Sequence, residues 1–409
     1  MKKRSILLFI IFFISIIILS LNSNNKYLVK EESLATFIDG EKTDSFPAKG
    51  TVVFSKAECD NNTKIYWDND TWGLYVTNLS EKVKCNLYFK TLENVVTMIT
   101  NLASSDTTNM ASDDPDNNIR YIGANPNNYV YFNCDDYNNQ TSDTCELWRI
   151  IGVFNNIEKE DGTKENLIKI VRNDSIGQYS WDNKDSTTGA ENNNGSSNWV
   201  NARLNYLLNP NYENEKNGGS LYFNSEAGMC YLGENNATVK CDFSKTGLKD
   251  DITRNLIQSV VWNLGGLSSS SEKMITSSLY KAERGNNVYK NNSISWTGKI
   301  GLIYPSDYGY ATAGGNTVNR KLCILKELNE WNETNFNDCK LNDYLYEKKF
   351  NQWTITPEID TSWGVYLIFA TGNVGENDIG SIRPTLFLKS NISIGLGDGS
   401  SNTPYQLGI

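Results

Sequence analysis

The chain has 409 residues, 39% hydrophobic and 21% charged, with a formal net charge of −10 and no histidine. That length suits two or three domains, and an acidic surface repels phosphate, so nucleic acid is not expected as a partner. Without histidine a Ser-His-Asp triad, a Cys-His pair and a His-ligated zinc or iron site are excluded. Asparagine is abundant, at 55 residues, and favours turns and helix ends, so many solvated loops are expected.

In chain order, Lys2, Lys3 and Arg4 precede an apolar run from Ile6 to Leu21. As a helix this run spans about 24 Å, slightly less than a ~30 Å hydrocarbon core. Two readings stand: an uncleaved signal-anchor over residues 1–26, or a cleaved signal peptide. A cleavage site wants small residues at its −1 and −3 positions, which "SLNSNNKY" does not offer. In both readings the positive flank stays inside and the rest of the chain leaves the cytoplasm. The expectation is a cell-membrane protein held by an N-terminal transmembrane helix, with the bulk of the chain extracellular.

Residues 27–91 read as a small β-sandwich. "GTVVFSKAEC", "TKIYWDND", "WGLYVTNL" and "KCNLYFKT" are short β-rich runs with polar turns between them. The order Cys59, Trp67 or Trp72, Cys85 resembles immunoglobulin-like modules of bacterial surface proteins, which implies two sheets pinned by Cys59–Cys85 with a tryptophan against the bridge. Residues 92–119 read as a helix and linker. In "LENVVTMITNLA" Val95, Val96, Met98, Ile99 and Leu102 gather on one side.

Residues 120–409 read as one α+β domain. "NYVYFNC", "CELWRIIGVF" and "LIKIVRN" are expected strands, and apolar residues on both faces of the second imply a sheet covered on both sides. Helices are expected over 198–208, 253–266 and 271–285, followed by a return to strands. The eight cysteines allow about a hundred connectivities. Consecutive pairing is the natural one because short loops close easily: Cys59 with Cys85, Cys134 with Cys145, Cys230 with Cys241, and Cys323 with Cys339. No C-x-x-C occurs, and an exported, oxidised protein fits this usage best.

The tail carries "WTITP", then "WGVYLIFATGNVG", then "GSIRPTLFLKS", after an earlier "GLIYPSDYGYA". This order is similar to the end of C-type-lectin-like and formylglycine-generating-enzyme-like domains, and most of all to exported bacterial domains closing on a G-x-R-P strand. The resemblance implies that 382–390 pairs in the sheet holding 147–154; Arg383 then reads as a partly buried brace, with a ligand-binding role as the alternative. Pro384, which has no N–H to donate, suits the mouth of that strand. The copper chemistry of the enzymes in that group is not expected, because the cysteines are spaced like structural bridges. The expected fold class is therefore multi-domain: a transmembrane helix, a small all-β immunoglobulin-like sandwich and an α+β C-type-lectin-like domain.

Two kinds of site were weighed. Asp113, Asp114 and Asp116 in "SDDPDNN" place three carboxylates together, as calcium would want, but the run lacks an EF-hand's Gly and terminal Glu and reads first as a solvated acidic linker. "GLGDGSSN", 395–402, reads as a turn. No other cofactor is expected. Exposed aromatic rings stack on sugar faces while Asp and Asn read hydroxyls, which makes Trp181, Asp182, Trp296, Asp307, Tyr308 and Trp353 candidate ligand-binding residues, each weighed against a place in the core. The expected function is recognition of a glycan or surface protein. The alternatives are an exported, histidine-independent enzyme such as a carboxylate-based glycosidase, or a structural envelope protein.

Overall fold

The strand Glu146–Glu158 is buried without a break from Trp148 to Phe154, as its two apolar faces require. In the computed structural model it lies at the centre of the largest sheet. That structure describes residues 34–60, 63–69, 71–77, 83–182, 195–215, 218–232, 237–268, 270, 272–376 and 380–408. Two units are distinguished: residues 34–47 with 54–89, and residues 48–53 with 90–408.

In the smaller unit the strand Leu34–Ile38 pairs in parallel with Cys85–Thr91 and antiparallel with Glu41–Thr43, in a four-stranded sheet that also takes Val52–Cys59. The strands Lys64–Asp68 and Gly73–Thr77 form a separate hairpin. Trp67 stacks on Phe54 at 5.3 Å and meets Phe89 and Trp72 edge-on. The tryptophans thus gather on phenylalanines, and Trp72 Nε1 donates to Pro47 O at 2.8 Å.

In the larger unit Glu146–Glu158 pairs antiparallel with Lys164–Arg172, which pairs in turn with Thr385–Leu388. The closing strand thus enters the sheet that holds residues 147–154, beside its second strand. Arg383 is buried and acts as a brace: Nε donates to Arg172 O at 2.8 Å, and Nη1 reaches Leu345 O and Gln352 Oε1. A second sheet runs in the order Gln178–Tyr179, Gly380–Ser381, Gln352–Pro357, Val365–Ile368, Val374–Glu376. Four disulfides join the cysteines in consecutive order, Cys59–Cys85, Cys134–Cys145, Cys230–Cys241 and Cys323–Cys339, across separations of 26, 11, 11 and 16 residues. Bridges of this kind form and persist in an oxidising environment.

The expected fold class needs correction. Strands account for 36% of the structure and helices for 17%, so the described chain is mostly β-sheet and not the immunoglobulin-like sandwich and α+β lectin-like domain that the sequence suggested. Among the described residues no helix is long and apolar enough to cross a membrane, and the expected span at 6–21 lies outside those residues. Much of the expected helix content is strand or turn. The helix expected over 253–266 is Asp251–Leu256 only, after which Ile257–Gln258 and Val260–Asn263 are strands paired with Thr385–Leu388 and Ser295–Gly298. The one expected over 271–285 is Thr276–Glu283, and that over 198–208 is a 3₁₀ turn, Trp199–Asn201, followed by Arg203–Leu208. The helix Val95–Ser105 does form, with Asn94 Oδ1 accepting from Val96 N and Thr97 N and with Val95 and Ile99 buried.

Gly152 is one place where the sheet tolerates no side chain. A Cβ there would lie 1.9 Å from Ile119 O, because the strand Ile119–Tyr121 packs directly against it. Gly152→Ala is expected to lower stability by about 3 kcal/mol through overpacking, measured by chemical denaturation; an unchanged midpoint would contradict that close approach.

Candidate functional site

Lys169 lies within the apolar strand Lys164–Arg172, between Ile168 and Ile170. Strand register fixes its neighbours: Gly152 on one side and Phe387 on the other, with Arg120 beyond Gly152. Arg120 and Lys169 therefore occupy one cross-strand row, separated by the residue that has no side chain. Their shared counter-ion comes from the helix Pro305–Ala311. Pro305 starts that helix, and Asp307 Oδ2 caps it by accepting from Tyr304 N at 3.0 Å. The same carboxylate accepts from Arg120 Nη1 at 2.8 Å and from Lys169 Nζ at 2.5 Å, and the Lys169 and Asp307 side chains are 0% exposed. Arg120 Nε completes the chain of charges on Asp114 at 2.8 Å.

Burial opposes every charge in this group, and the balance differs from one to the next. Burial pushes Asp307 up, but Lys169 and Arg120 outweigh it and hold the carboxyl well below the usual carboxylate range. Burial disfavours the Arg120 charge, yet Asp307 and Asp114 raise its pKa above the ordinary value. For Lys169 burial wins: Asp307 offsets only part of it, and the ammonium is pulled down to about 8. Four rings surround that ammonium, Tyr304 at 4.5 Å, Phe154 at 5.2 Å, Trp262 at 5.4 Å and Phe387 at 5.7 Å. Among the described residues Arg120 Nη2 has no hydrogen-bond partner, but its guanidinium lies 4.5 Å from the Phe154 ring. Because the folded state disfavours charged Lys169, this lysine makes folding more favourable as pH rises from about 8 towards 10.5, where only the unfolded chain keeps the proton.

Over these rings opens a recess of about 390 Å³ of atom-free space, counting its open mouth. Lys169, Trp262, Tyr304, Phe154 and Phe387 line its depth, and Asp116, Asn118, Asn155, Asn263 and Arg284 supply its polar wall. The wall is ordered by its own contacts. Tyr280 OH donates to Asp116 Oδ2 at 2.6 Å and accepts from Asn118 Nδ2 at 2.7 Å. The Arg284 guanidinium lies 3.4 Å over the Tyr280 ring and bonds Glu283 Oε2 at 3.1 Å. Glu283 is buried, accepts from Ser306 N and Ser306 Oγ, and is pushed up by burial. Such a site can offer amide donors and acceptors, one carboxylate and one guanidinium to a small ligand, over a floor of buried rings.

Of the aromatic and acidic residues expected to bind a ligand, only Asp307 belongs to this region, as a buried support. Trp181 is core, with Nε1 on Thr354 O and its ring against Trp199. Trp353 is core, with Nε1 on Tyr179 O, and Tyr308 is core, with its hydroxyl on Gly372 O. Asp182 accepts from the backbone N–H groups of Ser196 and Arg203. Trp296 is half-buried opposite Trp262 in the hairpin of Val260–Asn263 and Ser295–Gly298. The three carboxylates weighed for calcium go to three different arginines: Asp113 to Arg320, Asp114 to Arg120 and Asp116 to Arg284. Among the described residues no group of three or more carboxylate or cysteine side chains is gathered that would hold a metal. In 395–402, Asp398 accepts from Ser400 N and Thr403 Oγ1, as a turn would.

Sequence reasoning missed Lys169, Arg120, Tyr280 and Arg284. One cation within each of "LIKIV" and "NIRYI" was the available signal. No family model matches the chain, and neither a curated protein nor a solved structure matches it.

Removing the shared counter-ion tests the charge row. Asp307→Asn leaves Arg120 and Lys169 buried without it and is expected to lower stability by about 3–5 kcal/mol, measured by denaturant unfolding; a loss below about 1 kcal/mol would show that the row is not a buried network.

Proposed function

We propose that the larger unit is an extracellular recognition module, and that the recess above Lys169 receives a single sugar ring of a glycan. The observation that supports this most is the polar wall of the recess: Asp116 exposed, and Asn155, Asn263 and Arg284 half-buried, above rings that are themselves buried. Amides, a guanidinium and a carboxylate read sugar hydroxyls in both hydrogen-bonding senses. Much of that space is the open mouth, so the recess suits one sugar ring laid against its wall and not an enclosed oligosaccharide. The four disulfides accord with an extracellular address.

The carboxylate-based glycosidase reading has less support. Asp116 is the one carboxylate among the described residues lining the recess, whereas that chemistry uses two facing carboxyl groups. One observation favours a second enzymatic reading: an amine titrating near 8 at the bottom of a recess suits general-base or carbonyl chemistry. The Asp307 contact and the full burial of Lys169 favour a structural charge instead.

A glycan array probed with the intact chain and with Asn155→Trp, which places an indole at the wall of the recess, tests the proposal. The expected result is a defined subset of glycans bound by the natural chain and weakened at least about tenfold by the substitution, a loss of about 1.4 kcal/mol. Absence of glycan binding, or binding that the substitution leaves intact, would overturn it.

A further inference from the structure

Glu358 follows the strand Gln352–Pro357 and is 1% exposed. Its Oε2 accepts from Asp360 N at 2.9 Å and Thr361 N at 2.8 Å, while its Oε1 is buried with no hydrogen-bond partner among the described residues. The Asp360 carboxylate lies within hydrogen-bonding reach of the Glu358 carboxyl, and its Oδ2 accepts from Ser268 Oγ at 2.6 Å and Ser270 Oγ at 2.8 Å. The two carboxyl groups lie near each other, and since both are acceptors neither satisfies the other when ionised.

What distinguishes this pair is the absence of a basic neighbour. Asp113, Asp114, Asp116, Asp307 and Glu283 each have an arginine or lysine against them. Among the described residues neither Glu358 nor Asp360 forms an ion pair with one. Two like charges at this range repel, and one of them buried is costlier still. Burial pushes Glu358 up, with the facing Asp360 acting in the same direction, while Ser268 and Ser270 hold Asp360 down. Either a proton or a cation relieves such a pair.

We propose that Glu358 Oε1 and the Asp360 carboxylate, with Ser268 Oγ and Ser270 Oγ beside them, form a binding site for one divalent cation of the calcium class. The donors are all oxygen, the preference of a hard cation, and no thiolate or imidazole is present to favour zinc or copper. Asp360 is exposed and gives the ion a path from solvent, with water filling the remaining positions. A site with two carboxylates and hydroxyl neighbours belongs with extracellular modules, which bind calcium at roughly 10⁻⁴–10⁻³ M.

Calorimetric titration of the intact, chelator-treated chain with calcium chloride at neutral pH, alongside thermal melts, tests this. Saturable one-site binding in that range is expected, with a melting temperature that rises with calcium. Glu358→Gln and Asp360→Asn should each weaken binding at least about tenfold, about 1.4 kcal/mol, while Asp113→Asn, whose partner is Arg320, leaves it unchanged. If Glu358→Gln fails to fold, the exposed Asp360→Asn carries the comparison. No saturable heat and no melting shift up to about 10 mM calcium, tenfold above the expected range, would overturn the site and leave a shared proton as the resolution. Binding that survives both substitutions would overturn it equally.

Discussion

One carboxylate, Asp307, holds two cations that the sheet places side by side. Arg120 comes from the strand Ile119–Tyr121, Lys169 from Lys164–Arg172, and Asp307 from the helix Pro305–Ala311. The ion row therefore joins two strands to a helix that lies more than a hundred residues further along the chain. Its orientation is specific in a way that apolar packing is not: each charge is acceptable only with its partners in place. The aromatic rings around Lys169 exclude water and deepen that dependence, and they also form the floor of the recess. Support and site are consequently the same group of residues.

Covalent links do a different kind of work. Each disulfide closes a loop of at most 26 residues, so each constrains local chain freedom more than it joins distant parts. Cys134 and Cys145 tie the neck of the hairpin from Tyr129–Phe132 to Glu146–Glu158. Cys230 and Cys241 sit within the hairpin of Ala227–Cys230 and Val239–Asp242. Long-range order falls instead to the sheet that receives Thr385–Leu388, to Arg383, whose guanidinium gathers Arg172 O, Leu345 O and Gln352 Oε1, and to the charge row.

The sequence made some of this legible. Spacing was enough for the four bridges, because short loops close most readily, and the two-faced apolar run at 147–154 marked the central strand. The helix expected over 253–266 rested on Leu256, Val260, Val261 and Leu264. That spacing also suits short strands, and pairing with Thr385–Leu388 and Ser295–Gly298 decided the matter. Trp181 sits in a loop-rich stretch, "QYSWDN", that suggested exposure, yet its indole N–H finds a backbone carbonyl, as that of Trp353 does in its strand, so neither needs water. Lys169 was illegible for a related reason. A lone lysine in an apolar strand reads as a solvent-facing position, and only the register with Gly152 and Arg120 reveals a buried charge.

The protonation of Lys169 is the most direct measure of that buried row. A heteronuclear NMR titration of the Lys169 side-chain ammonium, assigned with Lys169→Arg, follows its charge as pH rises. A midpoint at about 8 is expected for an ammonium enclosed by Phe154, Trp262, Tyr304 and Phe387 and held by Asp307. A midpoint at the ordinary lysine value of 10.5 would contradict the claim that burial outweighs Asp307 at Lys169.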